Sequence, residues 1–141
     1  TFQRFIYEVP DKRYGIEFTE EYFGNGKKIR TGGKGSLTRM AKDDKDTLLV
    51  FLHHHNHKLK IAFYTPLGGG LSFEAELDTV YGAFSEGPLK CEGLIPEERV
   101  PIFAFVANRG GIEGLRESET VESIKSKYDF AIVIFAKLLL K

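Results

Sequence analysis

The fold is decided by a short stretch in which apolar and polar side chains alternate one by one, Leu71-Ser-Phe-Glu-Ala-Glu-Leu77. Every second side chain of a β-strand points to the same face, so this stretch predicts a strand with one buried and one solvated face. Lys58–Tyr64 repeats the alternation, with lysines between apolar residues. Strands of this kind are typical of antiparallel sheets, because antiparallel sheets often cover a core with one face only.

Further strands are predicted where β-branched and aromatic residues cluster between turn residues. These stretches are Phe5–Val9, Tyr14–Phe18, Thr47–Leu52, Val80–Phe84 and Pro101–Ala107. Together with the C-terminal region, they predict a mainly β fold of about eight short strands, arranged as an antiparallel sandwich, a jelly roll or a small barrel.

The C-terminal region carries the one helical pattern that we find in the sequence. A short helix is predicted near residues 118–127, with Ser118 or Thr120 as its N-cap. Residues 128–140 fit either a continued helix or a strand, because a helical spacing overlaps a β-favouring run at Ile132–Phe135. We favour the strand, since four consecutive β-branched or aromatic residues are poor helix formers.

Length and composition bound the class of protein. The 141 residues predict a single β-rich domain, 1–141, with apolar residues enough for its own core. The lone cysteine, Cys91, allows no intrachain disulfide, so an intracellular and cytoplasmic protein is expected. A soluble protein is expected because no apolar run is long enough to span a membrane. The chain starts at Thr1 without Met, which leaves open a removed N-terminal segment. The apolar run Phe130–Ala136 is far shorter than the about 20 residues of a membrane span, so no membrane association is expected.

Charge is balanced overall but segregated along the chain. There are 20 basic and 20 acidic residues, yet Tyr22–Lys42 contains six cations and no acid, whereas Phe73–Glu98 contains seven acids and one cation. The six cations are Lys27, Lys28, Arg30, Lys34, Arg39 and Lys42. On opposite surfaces, the two segments would let copies attract head to tail or bind separate partners. Side by side, they would neutralise each other.

The basic segment is also rich in glycine. Gly24–Ser36 combines glycines with cations, as phosphate-binding loops do. The segment is not a P-loop, because Lys34 is followed by Gly35 rather than by Ser or Thr. We expect a flexible cationic loop, able to contact the phosphates of a nucleic acid with its four cations together with Arg39 and Lys42 after it. A plain solvated hairpin loop and a protein-binding loop are the alternatives.

All four histidines lie within five residues, at His53, His54, His55 and His57. In an extended chain, His53, His55 and His57 would project from one face at intervals of about 7 Å and hold zinc, iron or copper. Alternatively, His54–Asn56 forms an exposed hairpin turn between two strands, which would spread the rings apart.

Acidic residues of one strand complete the candidate chemistry. Glu74, Glu76 and Asp78 occupy the polar positions of the alternating stretch, which favours an exposed row of carboxylates. A combined site of His53 and His55 with Glu74 or Glu76 requires the polar faces of their strands to coincide. The sequence carries no Gly-x-Ser-x-Gly elbow, which argues against a serine hydrolase.

The sequence therefore favours a non-enzymatic module that binds a macromolecule or copies of itself through residues 27–42. A coat or shell subunit and a nucleic-acid-binding domain are concrete forms, and a homo-oligomer or a protein complex is the expected state. No cofactor is expected in this case. The alternative is an enzyme whose histidine cluster holds a divalent metal that activates water, with Glu74 or Glu76 as base. A weaker alternative is a small barrel that holds an apolar ligand among its Phe side chains.

Overall fold

The computed structural model describes residues 2–8, 14–37, 45–64, 69–91, 93–94 and 97–140. In these residues the fold is mainly β, as predicted, with nine strands and one short helix. In chain order they are β1 (Phe2–Glu8), β2 (Tyr14–Gly24), β3 (Lys27–Leu37), β4 (Lys45–His55), β5 (Lys58–Tyr64), β6 (Gly70–Glu76), β7 (Ala83–Pro88), β8 (Val100–Asn108), α1 (Val121–Lys127) and β9 (Phe130–Leu140).

The strands form two antiparallel sheets packed face to face. The four-stranded sheet has the order β1-β4-β5-β6, and the five-stranded sheet has the order β3-β2-β9-β8-β7. Between them lies a core in which the rings of Phe18 and Phe63 stack with centroids 4.4 Å apart. Both rings are fully buried. Burial of each ring contributes about 1.5–3 kcal/mol of hydrophobic stabilisation.

The two central strands of the five-stranded sheet are buried on both faces. One face of β8 and β9 meets the four-stranded sheet, while Val106 and Val133 on the other face pack in a second cluster with Ile124 of α1. A strand covered on both sides is apolar at consecutive positions. This double burial is why periodicity alone left residues 128–140 open. The order α1 then β9 confirms the predicted helix followed by a strand.

The helix is capped by Thr120, one of the two N-caps predicted. The Ser123 backbone N–H donates to the Thr120 Oγ1 at 3.2 Å, and the Thr120 N–H donates to the Ser123 Oγ at 2.9 Å. Two N–H groups at the start of the helix are thereby satisfied. The helix is shorter than predicted, because it starts at Val121.

The expectation of a flexible loop at Gly24–Ser36 is wrong, because most of this segment is strand β3. The turn before it, Asn25-Gly26, has a positive φ at both residues, as tight hairpins of the right twist require. The glycines of β3 serve packing: a Cβ on Gly33 would overlap the ring of Phe73 on β6, and one on Gly35 would lie 2.6 Å from the Leu71 Cδ1. They allow β3 to approach the opposite sheet closely.

A second correction concerns Val80–Phe84. The strand β7 begins only at Ala83, and Val80 lies in a turn with half of its surface exposed. The Asp78 Oδ1 accepts the Val80 N–H at 3.1 Å, a short-range hydrogen bond that favours a turn over a strand.

Candidate functional site

The basic segment lies on an edge of the five-stranded sheet. In the described residues, β3 is paired with β2 on one side and is the terminal strand on the other. Its first five residues, Lys27–Thr31, are all exposed. Of the six predicted cations, Lys27, Lys28, Arg30 and Lys34 lie on β3, whereas Arg39 and Lys42 lie outside the described residues.

Two of these lysines are paired with carboxylates of the neighbouring strand. The Lys28 Nζ lies 3.1 Å from the Glu21 Oε1, and the Lys34 Nζ lies 3.7 Å from the Glu17 Oε2. Both lysine side chains remain largely accessible, at 48% and 64% of their surface. The carboxylate ends of these pairs are largely buried, but the lysine ends are in solvent, so the pairs order the lysines without removing them from contact with a partner.

Glu21 anchors this charged surface. Its Oε1 also accepts a hydrogen bond from the Arg99 guanidinium at 2.6 Å. Burial raises the pKa of Glu21, but the hydrogen bonds and charges of Arg99 and Lys28 outweigh burial and hold the pKa below its ordinary value. The carboxylate therefore stays ionised at neutral pH.

The inner side of the same edge holds a buried polar group that the sequence analysis missed. The Glu20 side chain is 3% exposed, and its Oε1 accepts the Tyr22 hydroxyl at 2.7 Å and the Gly33 N–H at 3.2 Å. Burial, followed by the hydrogen bond and charge of Glu20, raises the pKa of Tyr22, so the phenol remains a donor. The Arg30 guanidinium lies 4.0 Å above the Tyr22 ring. This network fixes β3 against β2 where the register shifts.

Three of the four histidines, His53–His55, continue strand β4 rather than forming its turn. His53 and His55 are exposed on the outer face of the four-stranded sheet, with ring centroids 6.3 Å apart. His54 points to the opposite face, where its ring contacts Phe84 and Phe105 at centroid distances of 4.4 and 5.5 Å. Burial, followed by the charge of His57, lowers the pKa of His54.

The turn lies later in the chain than the predicted His54–Asn56. Asn56 and His57 are its central residues, with φ angles of 48° and 61°. His57 therefore does not continue the strand face that carries His53 and His55. Its backbone carbonyl accepts the Leu77 N–H at 2.7 Å, while its Nδ1 is buried without a hydrogen-bond partner.

The outer face of the four-stranded sheet brings histidines and carboxylates together, but with lysines between them. In the cross-strand register, His53 opposes Lys60, which opposes Glu74; a second row consists of His55, Lys58 and Glu76. These six residues line a shallow depression of about 490 Å³. The polar faces thus coincide, as a combined site requires.

A metal site needs more than this face provides. Within the described part of the chain, no group of three or more His, Cys, Asp or Glu side chains is placed to hold a metal ion. Two imidazoles share the face, and an ammonium group opposes each of them in the register. The metal site at His53, His55 and His57 stays a prediction.

The weaker alternative, an apolar-ligand barrel, concerns rings that contact one another. Phe63 stacks on Phe18 and meets Phe73 edge-on, with centroids 6.1 Å apart.

Among the described residues, no helix has the length and apolarity needed to cross a bilayer. No family model, no curated protein and no solved structure matches this chain.

Proposed function

We propose that this protein is a non-enzymatic binding module whose terminal strand β3 holds an acidic, extended polypeptide as an additional strand. The observation that carries the proposal is the exposed run Lys27–Thr31, which contains three cations and lies on a sheet edge. A terminal strand offers unpaired N–H and C=O groups along one side. These backbone groups can pair with another strand whatever the sequence of that strand. The cations add selectivity for a partner of negative charge.

A polypeptide fits this edge better than a nucleic acid does. Nucleic-acid binding relies on cations that neutralise phosphates. Here Lys28 and Lys34 each lie beside a carboxylate, and phosphates that approached them would also approach Glu21 and Glu17. An added strand meets the lysines from the side and uses the backbone for most of its affinity. Glu21 and Glu17 therefore weaken the binding of phosphates more than they weaken the binding of an added strand.

Fluorescence anisotropy with a labelled peptide tests the proposal. The peptide alternates Glu and Val, and a matched peptide replaces Glu by Lys. We expect that the acidic peptide binds and the lysine peptide does not. The affinity for the acidic peptide should fall when salt is raised from about 0.05 to about 0.5 M, because ions screen exposed charges. The triple variant K27E/K28E/K34E leaves Arg30 in place over Tyr22 and changes the charge of β3 from +4 to −2, since three cations become three acids. It should weaken binding by tenfold or more.

The matched control is Lys90→Glu, which changes an exposed lysine away from β3. It should leave the affinity within twofold. Equal binding of the two peptides, or an unchanged affinity of a folded triple variant, would overturn the proposal. Preferential binding of a single-stranded oligonucleotide of the same charge would also overturn it, in favour of nucleic-acid recognition.

A further inference from the structure

The molecule carries a second terminal strand of opposite charge. Strand β6 ends the four-stranded sheet in the described residues, and its seven residues contain two acids, Glu74 and Glu76, and no cation. Both carboxylates are exposed. Strand β3 ends the five-stranded sheet with four cations and no acid. The chain thus contains both a basic edge and an acidic edge that it complements.

From these edges we infer that the acidic strand bound by β3 is β6 of a second copy, so that two copies form a dimer with two β3–β6 junctions. The inference rests on the proposed function of β3 and names its partner. Charge complementarity between the two edges is the argument for the second copy.

The two edges lie on the same side of the molecule. Gly33 and Gly35 of β3 face Phe73 and Leu71 of β6 so closely that a Cβ on either glycine would overlap those side chains. One side of the sandwich therefore presents a basic edge from one sheet directly beside an acidic edge from the other. A second molecule that approaches this side meets both edges at once.

Symmetry then decides which edges meet. A two-fold axis parallel to the strands places β3 of each copy against β6 of the other, which makes a closed, isologous dimer. A two-fold axis perpendicular to the sheets would place β3 against β3 and β6 against β6. The second arrangement opposes four cations to four cations. Charge therefore favours the first, and both sheets would continue across the interface.

The side chains on the outer surfaces match as well. Lys28 and Lys34 pair with the carboxylates of Glu21 and Glu17, so they lie on the face of their sheet that points away from the core. Glu74 and Glu76 lie on the corresponding outer face of the other sheet, opposite Lys60 and Lys58. In the joined sheet, β6 carboxylates would have lysines on both sides. Opposite charges on neighbouring strands stabilise the pairing of those strands.

Light scattering coupled to gel filtration tests the dimer. We expect wild type to show twice the 15.9 kDa chain mass at low salt and to dissociate as salt is raised. The variants K27E/K28E/K34E and E74K/E76K should each be monomeric, because like charges meet at both junctions. An equal mixture of the two variants should restore the dimer: one junction then pairs the two wild-type edges and the other pairs the two reversed edges.

The mixture also excludes misfolding as the cause of dissociation, since unfolded variants would not rescue each other. A monomeric wild type at low salt, a dimer that persists in folded E74K/E76K, or a mixture without rescue would overturn the inference. The anisotropy assay separates this failure from failure of the proposed function. If E74K/E76K still binds the acidic peptide while the dimer tests fail, β3 is a binding edge whose partner is another protein.

Discussion

Replacing His57 by Gly should stabilise the protein, because this histidine occupies a backbone conformation that suits glycine. Its φ is 61°, in the left-handed region, and Asn56 before it is also left-handed, at 48°. Two-residue hairpin turns with both φ angles positive prefer Asn-Gly. The first position of this turn already has the favoured residue, and the second does not.

The expected gain follows from three contributions. A left-handed conformation costs an L-residue about 1–2 kcal/mol, with His at the low end. Glycine loses about 0.5–1 kcal/mol through its greater freedom in the unfolded chain. The imidazole Nδ1 is buried without a partner, and removing such an atom recovers part of the about 1–3 kcal/mol that burial costs it. The net expectation for His57→Gly is about 1 kcal/mol, or a rise in Tm of about 3 °C.

The assay is thermal and urea unfolding followed by circular dichroism at about pH 8. The β2–β3 hairpin supplies a reciprocal control, because Gly26 occupies the equivalent position with a φ of 80° and has open space where a Cβ would lie. Gly26→His should lower the free energy of unfolding by about 1 kcal/mol. An unchanged or lower Tm of His57→Gly would refute the reasoning from backbone conformation.

Three further predictions concern packing, the buried carboxylate and pH. Gly33→Ala should destabilise the fold by about 1–3 kcal/mol because its Cβ would overlap Phe73, whereas Gly110→Ala, with open space, should stay within about 0.5 kcal/mol in urea titrations. Glu20→Ala should cost about 1–3 kcal/mol, because it leaves two donors unpaired, while Glu20→Gln keeps an accepting oxygen and should recover most of the loss in the same titrations. Burial, followed by the charge of His57, lowers the pKa of His54 from 6.5. The unfolded chain therefore takes up a proton first, and stability should fall as pH drops below that value. Unfolding measured at about pH 7.5 and about pH 5.5 checks this, and His54→Phe should show a smaller loss.

The sequence was informative where local pattern and burial agree. The alternation of Leu71–Leu77 predicted a strand, and β6 with the buried Leu77 after it confirms that prediction. The cap at Thr120 was visible for the same reason, because capping depends on neighbours in the chain. These features need no knowledge of what packs against them.

Strand β3 was missed because its glycines are needed for tertiary packing, which local sequence does not show. Glycine weakens a strand by local propensity, and only the approach of Phe73 and Leu71 explains why Gly33 and Gly35 are needed. The Asn25-Gly26 pair was the available signal, since this dipeptide predicts a hairpin and hence a second strand after it.

The candidate site was predictable in its charges and not in its partners. The cations of β3 stand out in the sequence, but Arg99 reaches Glu21 from a distant position in the chain that no local pattern connects. Glu20 and Tyr22 had a usable signal, because residues two apart on a strand share a face and Tyr22 is core-facing.

The order of the five-stranded sheet has a consequence for biosynthesis. Strand β9 lies in the middle of this sheet, hydrogen-bonded to β2 on one side and to β8 on the other. During translation, the β2–β3 and β7–β8 hairpins emerge first and have no strand to join them until residues 130–140 have left the ribosome. Until then the apolar faces of both hairpins stay exposed, and pairing between strands so far apart in the chain is slow to form. The nascent chain is therefore at its greatest risk of aggregation just before β9 appears.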